Sequence, residues 1–529
     1  MNPNLNRKYA FALLCVFLPS FLPAHAQTSS PPAARDETHE TRAARAFAKA
    51  KSNPLDLHAF LVRMPKGGDL HNHLSGAVYA ESWIRDGAED NLCVTLAGLS
   101  FAKAQFVTQT DAPHPVCANG QVPAAQAYTD QHLYDALIDA FSMRDFLPGP
   151  GASGHDHFFD TFAKFGGVDR RHTGEWLDEV SARADAQNEQ YLELMETPYH
   201  ANTIAIAQKI GWRDDLAGLR QDLLAAGLHD DVAVARAELD AAEQLRRMRE
   251  HCGQTDEAAA CRRVQIRYQY QVSRGASKEQ VFAQTILGFE IAAADPRVVG
   301  INFVQPEDGR ISMADYNEQM RMVGFLHGLY PQVHITLHAG ELAPGLVPPE
   351  GLCCHIRLAI EQAGAERIGH GVDVMYEERP YDLLKEMAKK HVMVEINLTS
   401  NDVILGVTGK DHPFPLYRQY GVPVALSTDD EGVSRIDITH EYVRAAETYA
   451  LSYADLKQMA RTSIEHSFLP GPSFWREQDV FTRPAAACAS DAPGSEKPSS
   501  ACAAFLKASE KAQQQWELER RFREFEASF

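Results

Sequence analysis

The sequence predicts an α/β fold, a (β/α)8 barrel, on two observations. Eight apolar segments of strand length are mostly separated by longer segments with helical periodicity. Four of the predicted strands end in histidine, aspartate or glutamate, and the carboxyl ends of the strands are where such barrels carry their active sites. The alternation predicts a parallel sheet, and eight units predict that the sheet closes.

The predicted strands are Met64–His73, Tyr191–Glu196, Val264–Val272, Val298–Phe303, Val333–His338, Arg367–His370, Val392–Ile396 and Val422–Ser427. The predicted helices are Glu40–Phe60, 213–250, Lys278–Ala294, Tyr316–Tyr330, Gly351–Ala363, Leu383–Lys390, His412–Tyr420, His440–Tyr449, Tyr453–His466 and 503–526. A loop is predicted over the Ala/Ser/Pro-rich residues 484–500.

The chain divides into four predicted regions. Residues 1–26 have the pattern of a signal peptide, with a basic start, an apolar run and the small-x-small site Ala24-His25-Ala26. Residues 27–64 form an extension with a helix, 65–475 the barrel with an insertion at 80–147, and 476–529 a C-terminal loop and helix. No later segment is apolar for long enough to span a bilayer, so we expect an exported protein, periplasmic or extracellular.

Export changes how the cysteines are interpreted, because an oxidising compartment permits disulfides. Eight cysteines remain after the signal peptide. We expect three local pairs, Cys93–Cys117, Cys252–Cys261 and Cys488–Cys502. The neighbours Cys353 and Cys354 are either buried thiols or a vicinal pair.

The formal net charge of −20 argues against nucleic acid or an anionic membrane as a partner. A small neutral or cationic substrate fits this charge better.

His71 and His73 form a His-x-His pair at the end of the first predicted strand. Side chains alternate along a strand, so both imidazoles lie on one face, which is a metal-ligand arrangement. The alternative is a chance pair on a wet surface. A second pair, His155 and His157, is predicted on a loop because Gly151 and Gly154 precede it, and it either faces the substrate or lies on the surface.

Three further predicted strands carry polar side chains at their ends. Strand five ends in His338-Ala339-Gly340-Glu341, strand six in Gly369-His370-Gly371 and strand eight in Thr428-Asp429-Asp430. Taken singly, His338 and His370 are explained as hydrogen-bonded barrel residues and the aspartates as a helix cap. Together with the first pair, they predict one site at the catalytic end of the barrel.

Imidazoles and a carboxylate without thiolate predict an open catalytic Zn²⁺ site. Strand four contains no lysine that could bridge a second metal, so we expect one zinc per subunit.

Four ordered motifs carry a family resemblance: 64–73 (MPKGGDLHNH), 338–341 (HAGE), 367–371 (RIGHG) and 427–430 (STDD). They resemble the adenosine deaminase family and, more narrowly, its secreted branch, the adenosine-deaminase-related growth factors and their bacterial relatives. The resemblance covers roughly residues 45–470. It implies a TIM barrel of the metal-dependent hydrolase type, with an insertion after strand one and extra terminal helices. It also implies a homodimer.

The resemblance assigns a role to each matching residue. His71, His73, His338 and Asp429 would be the zinc ligands, and His370 and Asp429 could take the proton of the attacking water. Glu341 would pass a proton to purine N1, His370 would orient that water and Asp430 would contact purine N7. The implied reaction is hydrolytic deamination of adenosine and 2′-deoxyadenosine to inosine and ammonia.

Two expected substrate-binding positions differ from the family pattern. Ser75 stands where many members carry an aspartate that contacts ribose. Gln305 stands where the family usually has a glycine whose backbone N–H meets purine N3. Two alternatives therefore stay open: another 6-aminopurine such as adenine or AMP, or a secreted binding or growth-factor-like protein without activity.

Overall fold

Eight parallel strands form the central sheet: β1 (Gly67–His73), β2 (Glu189–Glu196), β3 (Gln265–Ser273), β4 (Val298–Val304), β5 (His334–Ala339), β6 (Arg367–His370), β7 (Met393–Ile396) and β8 (Val424–Leu426). Each strand pairs with the next in chain order. All residues of β2 and β4 are buried, as expected for strands covered on both faces.

The sheet closes between its first and last strands. The backbone N–H of Asp429, three residues beyond the end of β8, donates to His71 O at 2.9 Å, and the N–H of His73 donates to Asp429 O at 3.0 Å. These two bonds join β1 to the chain that follows β8, so three residues that were predicted as metal ligands form the seam. The predicted α/β barrel is confirmed.

The computed structural model describes residues 38–107 and 114–529. The expected signal peptide, residues 1–26, and residues 27–37 of the extension lie outside the described residues. Within His39–Phe529, which form one compact unit, helices flank the strands: His39–Ala50, Pro54–Leu61, Leu74–Ala77, Ala80–Glu89, Gln131–Ala140, Gly154–Lys164, Thr173–Ala186, Ala201–Ile210, Leu216–Ala225, Asp230–Arg249, Ala260–Arg263, Lys278–Ala294, Arg310–Leu329, His355–Leu358, Pro380–Lys390, Leu398–Leu405, Phe414–Tyr420, Glu431–Ser434, Ile438–Thr448, Tyr453–Glu465, Ser500–Lys507 and Glu510–Ala527.

The insertion after β1 is more ordered than a long loop. Within it, the short strand Cys93–Thr95 pairs antiparallel with Ser100–Ala102 and Gln121–Pro123, and two helices flank this small sheet. The helices Pro54–Leu61 and Glu510–Ala527 pack against each other through aromatic rings. The Phe60 ring centroid lies 5.1 Å from that of Phe525.

One predicted loop is wrong. His155 and His157 lie on the helix Gly154–Lys164, which begins where the Ser153 side chain accepts the backbone N–H of Asp156 at 2.9 Å. The glycine that we interpreted as a loop residue occupies the first helical position, where the cap compensates for its low helix propensity.

The three expected local disulfides are confirmed, and Cys353 is paired with Cys354.

Across the described ranges, no helix is both long and apolar enough to cross a membrane.

Candidate metal centre and catalytic cavity

Three histidines and one aspartate converge at the carboxyl end of the barrel. Nε2 of His73 lies 3.2 Å from Nε2 of His338 and 3.2 Å from Oδ1 of Asp429. Nε2 of His71 lies 3.3 Å from the same carboxylate oxygen. The structure therefore brings together all four residues that were predicted as metal ligands.

The second ring nitrogen of His71 is held by a carboxylate. Nδ1 of His71 lies 2.7 Å from Oε2 of Glu395, and neither side chain is exposed. Burial alone would raise the pKa of Glu395, but Arg367 and His71 together lower it, so Glu395 is ionised and only accepts. The ring proton of His71 therefore sits on Nδ1, and the Nε2 lone pair is free.

The other two histidines have the same arrangement. Oδ1 of Asn302 accepts the backbone N–H of His338 at 3.1 Å and lies 2.9 Å from Nδ1 of that ring. Nδ1 of His73 lies 3.1 Å from Oε1 of Gln271. Acceptors behind each ring keep the proton on Nδ1, as is usual behind metal-bound histidines.

These residues fit a divalent cation. Three Nε2 lone pairs and a carboxylate oxygen face one another, and the fully buried Nε2 of His71 has no hydrogen-bond partner among the described residues. Nitrogen and oxygen donors without thiolate suit zinc.

Glu341 lies in the turn after β5 and is held by a second buried glutamate. Its backbone N–H donates to Oε2 of Glu307 at 2.8 Å, and the N–H of Gly340 donates to Oε1 at 3.0 Å. Gly340 has a φ of +77°, a conformation that favours glycine. Burial and the Asp429 carboxylate raise the pKa of Glu341 well above its usual range, so the site favours the protonated form of this carboxyl group.

His370 lies at the end of β6, close to the cluster but oriented differently. Its Nδ1 is 2.8 Å from the amide nitrogen of Asn401, and its Nε2 is 3.9 Å from Oδ2 of Asp429. Burial lowers the pKa of His370 to about 3, so the ring is neutral. One of its nitrogens lies within 4.8 Å of ligand atoms of His71, His338 and Asp429, so distance alone does not separate it from the ligands.

The cluster opens into a cavity of about 720 Å³. The predicted residues that line it are His73, Ser75, Gln305, His338, Glu341, Asp429 and Asp430. Burial raises the pKa of Asp430 to about 7. Gln305 has a φ of +82° and accepts the backbone N–H of Gly275 at 2.9 Å, so its side chain lies along the cavity edge.

One wall of the cavity is aromatic. Phe158, Phe159 and Phe162 on the helix Gly154–Lys164 line it. His155 and His157, on the same helix, do not: Nε2 of His155 lies 3.0 Å from Asp308, and His157 stacks on Phe146. Neither histidine lies in the metal cluster.

The sequence did not single out the residues that form hydrogen bonds to the site residues on the side away from the cavity. Glu395 and Asn302 each interrupt an apolar strand, β7 and β4, with a buried polar side chain, and that interruption was a usable signal. Glu307 and Asn401 lie outside the strands, and no spacing singled them out.

Residues 230–475 match the family model described as adenosine deaminase. Among curated proteins, an adenosine deaminase of Clostridium perfringens is 34% identical over 168 residues, 32% of this chain and 43% of that protein. An adenosine deaminase of Escherichia coli is 38% identical over 137 residues, 26% of this chain and 38% of that protein. The chain thus matches less than half the length of these relatives.

Among solved structures, Arabidopsis ADAL complexed with IMP aligns with a TM-score of 0.50 at 19% identity, over 77% of this chain and 93% of that chain. At this identity the alignment shows the barrel fold alone. The segment that matches the family model, residues 230–475, begins at the helix Asp230–Arg249 and ends beyond β8. It contains His338, Glu341, His370 and Asp429. Over this segment, the chain is similar to the adenosine deaminase family.

Proposed function

We propose that this protein is an exported zinc enzyme that hydrolytically deaminates adenosine and 2′-deoxyadenosine to inosine or 2′-deoxyinosine and ammonia. The observation that carries the proposal is the buried Glu341, whose pKa is raised well above its usual range, in the same cavity as the three-histidine cluster. A cavity of about 720 Å³ is large enough to hold a nucleoside.

His71, His73, His338 and Asp429 would hold one zinc ion per subunit. When bound, zinc lowers the pKa of water to about 7 and makes hydroxide available at neutral pH. Burial raises the pKa of Asp429, but the adjacent His71 and His73 outweigh burial and lower this pKa far below the usual range, so the carboxylate is ionised.

Glu341 supplies the proton that the ring needs. Attack of water on purine C6 places negative charge on N1 unless N1 is protonated, and a neutral carboxyl group beside N1 provides that proton. The turn that carries Glu341 is fixed by the two bonds from its backbone to Glu307. His370 orients the attacking water and Asp430 contacts N7, each from its own strand end.

Ser75 and Gln305 would meet the sugar and the N3 side of the purine. Both line the cavity, and the backbone N–H of Gln305 stands where a glycine N–H is usual in the family. These two positions decide between a nucleoside and the alternatives, adenine or AMP. The binding or growth-factor-like alternative has no need of a buried, protonated Glu341.

The paired cysteines support export to an oxidising compartment, with residues 1–26 as the signal peptide. We place the chain in the secreted branch of the family, as a homodimer without nucleic-acid or membrane partners. The site residues and the division into 27–64, 65–475 and 476–529 belong to this proposal.

A deamination assay on the purified protein without its signal peptide tests the function. Loss of adenosine absorbance is followed beside 2′-deoxyadenosine, AMP and adenine, with and without a zinc chelator. Chelator-sensitive turnover of the two nucleosides alone is the expected result. Turnover of AMP or adenine alone would show that the proposed substrate is wrong. Bound zinc without turnover of any of the four compounds would contradict the proposed reaction.

A further inference from the structure

We propose that Asn401 and His412 are positioning residues that keep the ring proton of His370 on Nε2, so that His370 donates a hydrogen bond in the site and does not act as its base. The inference rests on the proposed function, which gives His370 its place beside the attacking water. It follows from the direction of three consecutive hydrogen bonds.

The first bond starts from a backbone group whose direction is fixed. The N–H of Phe414 lies 3.1 Å from Nδ1 of His412. A backbone N–H only donates, so Nδ1 of His412 accepts and the ring proton is on Nε2. Burial lowers the pKa of His412 to about 4, which leaves the ring neutral with that single proton at pH 7.

The second and third hydrogen bonds determine which ring nitrogen of His370 carries the proton. Nε2 of His412 lies 3.0 Å from Oδ1 of Asn401, so the amide oxygen accepts. The NH2 group of Asn401 then faces Nδ1 of His370 at 2.8 Å. An amide NH2 only donates, so Nδ1 of His370 accepts and its proton is on Nε2. The side chains of Asn401 and His370 are completely buried, and no solvent competes for these groups.

The helix that carries Asn401 is itself anchored. The backbone N–H of Leu398 donates to Glu441 at 2.8 Å, and that of Thr399 donates to the same carboxylate at 3.2 Å. Oε1 of Glu341 is 3.7 Å from Nδ1 of His370, too far for a hydrogen bond that would compete with Asn401. The amide therefore stays as the partner of Nδ1.

The position of the ring proton distinguishes His370 from the three histidines proposed as ligands. Acceptors lie behind His71, His73 and His338, so their Nε2 lone pairs point into the site; a donor lies behind His370, so its Nε2–H points into the site. Nε2–H of a neutral ring cannot coordinate a metal or accept a proton. His370 therefore orients water as a donor, and the proton that water releases goes to a carboxylate.

Variants at Asn401 and His412 test the inference in the zinc-loaded protein. Asn401→Asp places an acceptor behind His370, and we expect its proton to move to Nδ1. Loss of the Nε2–H donor should lower kcat about 10²-fold with little change in KM. His412→Gln keeps both directions, because the Gln oxygen accepts from Phe414 and its NH2 donates to Asn401. We expect it to keep kcat within about threefold, whereas His412→Leu loses kcat.

A readout that does not depend on activity is the ring-nitrogen NMR spectrum of protein labelled with ¹⁵N-histidine, with the His370 signals identified by their loss in His370→Gln. The expected wild-type spectrum has the proton on Nε2, and Asn401→Asp moves it to Nδ1. A wild-type proton on Nδ1, a fully active Asn401→Asp, or equal losses in His412→Gln and His412→Leu at unchanged zinc content would overturn the inference. If the wild type deaminates nothing, the proposed function fails, while the spectrum still decides the position of the proton.

Discussion

Nδ1 of His71 lies 2.7 Å from Oε2 of Glu395, and both side chains are completely buried. The other oxygen of Glu395 accepts from Arg367 at 2.7 Å and from Thr336 at 2.9 Å. Three side chains therefore contact the carboxylate of Glu395. This carboxylate fixes the orientation of the His71 ring and the position of its proton. Such partners behind a ligand histidine tune metal affinity.

Glu395→Gln should weaken zinc binding about 10- to 100-fold. The amide is neutral and satisfies Arg367 and His71 less well than the carboxylate does, so the Nε2 lone pair of His71 is less strongly directed at the metal. Competition with a chromophoric zinc chelator measures the affinity.

Glu366→Gln is the matched control. Glu366 precedes β6, is 48% exposed at its side chain and pairs with His334 at 2.8 Å, away from the cluster. Zinc affinity should be unchanged in this variant. An equal loss in both variants would show that the loss at Glu395 has nothing to do with His71.

Glu341→Gln should keep its zinc and lose kcat about 10³-fold. The amide fills the same space but has no acidic proton for purine N1. Zinc content by atomic spectroscopy and steady-state kinetics with adenosine measure the two effects. Glu350→Gln, at an exposed position beyond the same strand, is the control and should retain activity. Near-normal kcat in Glu341→Gln would remove Glu341 from the mechanism.

The barrel and the groups at its strand ends were predictable because they depend on local patterns. His71 and His73 share a face through the period of two along a strand, and His338, His370 and Asp429 each follow an apolar segment of strand length. The barrel topology alone then brings these residues together.

The residues behind His370 were not predictable in this way. Asn401 and His412 act through contacts with His370 and Phe414 whose direction depends on atomic geometry, not on spacing. The helix at Gly154 was missed for a different reason: a single cap at Ser153 outweighed the helix-breaking tendency of glycine.

The C-terminal cluster provides a test of stability. Cys488 and Cys502 are paired across 14 residues and are fully buried beside Phe474 and Trp516. Replacing both cysteines by serine should cost about 3 kcal/mol through the lost constraint on the unfolded chain. The melting temperature under oxidising conditions measures the loss. With a strong reductant, wild type and variant should melt much closer together, and a persistent gap would assign the loss to packing.

The pH dependence of stability tests the buried state of His412. Its pKa falls from 6.5 in the unfolded chain to about 4 in the folded protein, because burial disfavours the charged ring. Between these values the unfolded state binds more protons, so the stability contributed by the neutral ring is complete above about pH 6.5 and is lost as the pH falls toward 4. The loss between pH 7 and pH 5 should be about 2 kcal/mol.

His412→Gln isolates this contribution, because glutamine keeps both hydrogen bonds and does not titrate. The metal ligands titrate alike in the two proteins, so only the difference between their unfolding free energies reports on His412. Urea unfolding at pH 7 and pH 5 should show that the wild type loses about 2 kcal/mol more than the variant. Parallel losses would mean that His412 is charged in the folded protein at pH 5. A doubly protonated ring cannot accept the N–H of Phe414, so the hydrogen-bond direction that holds His370 would then be absent at that pH.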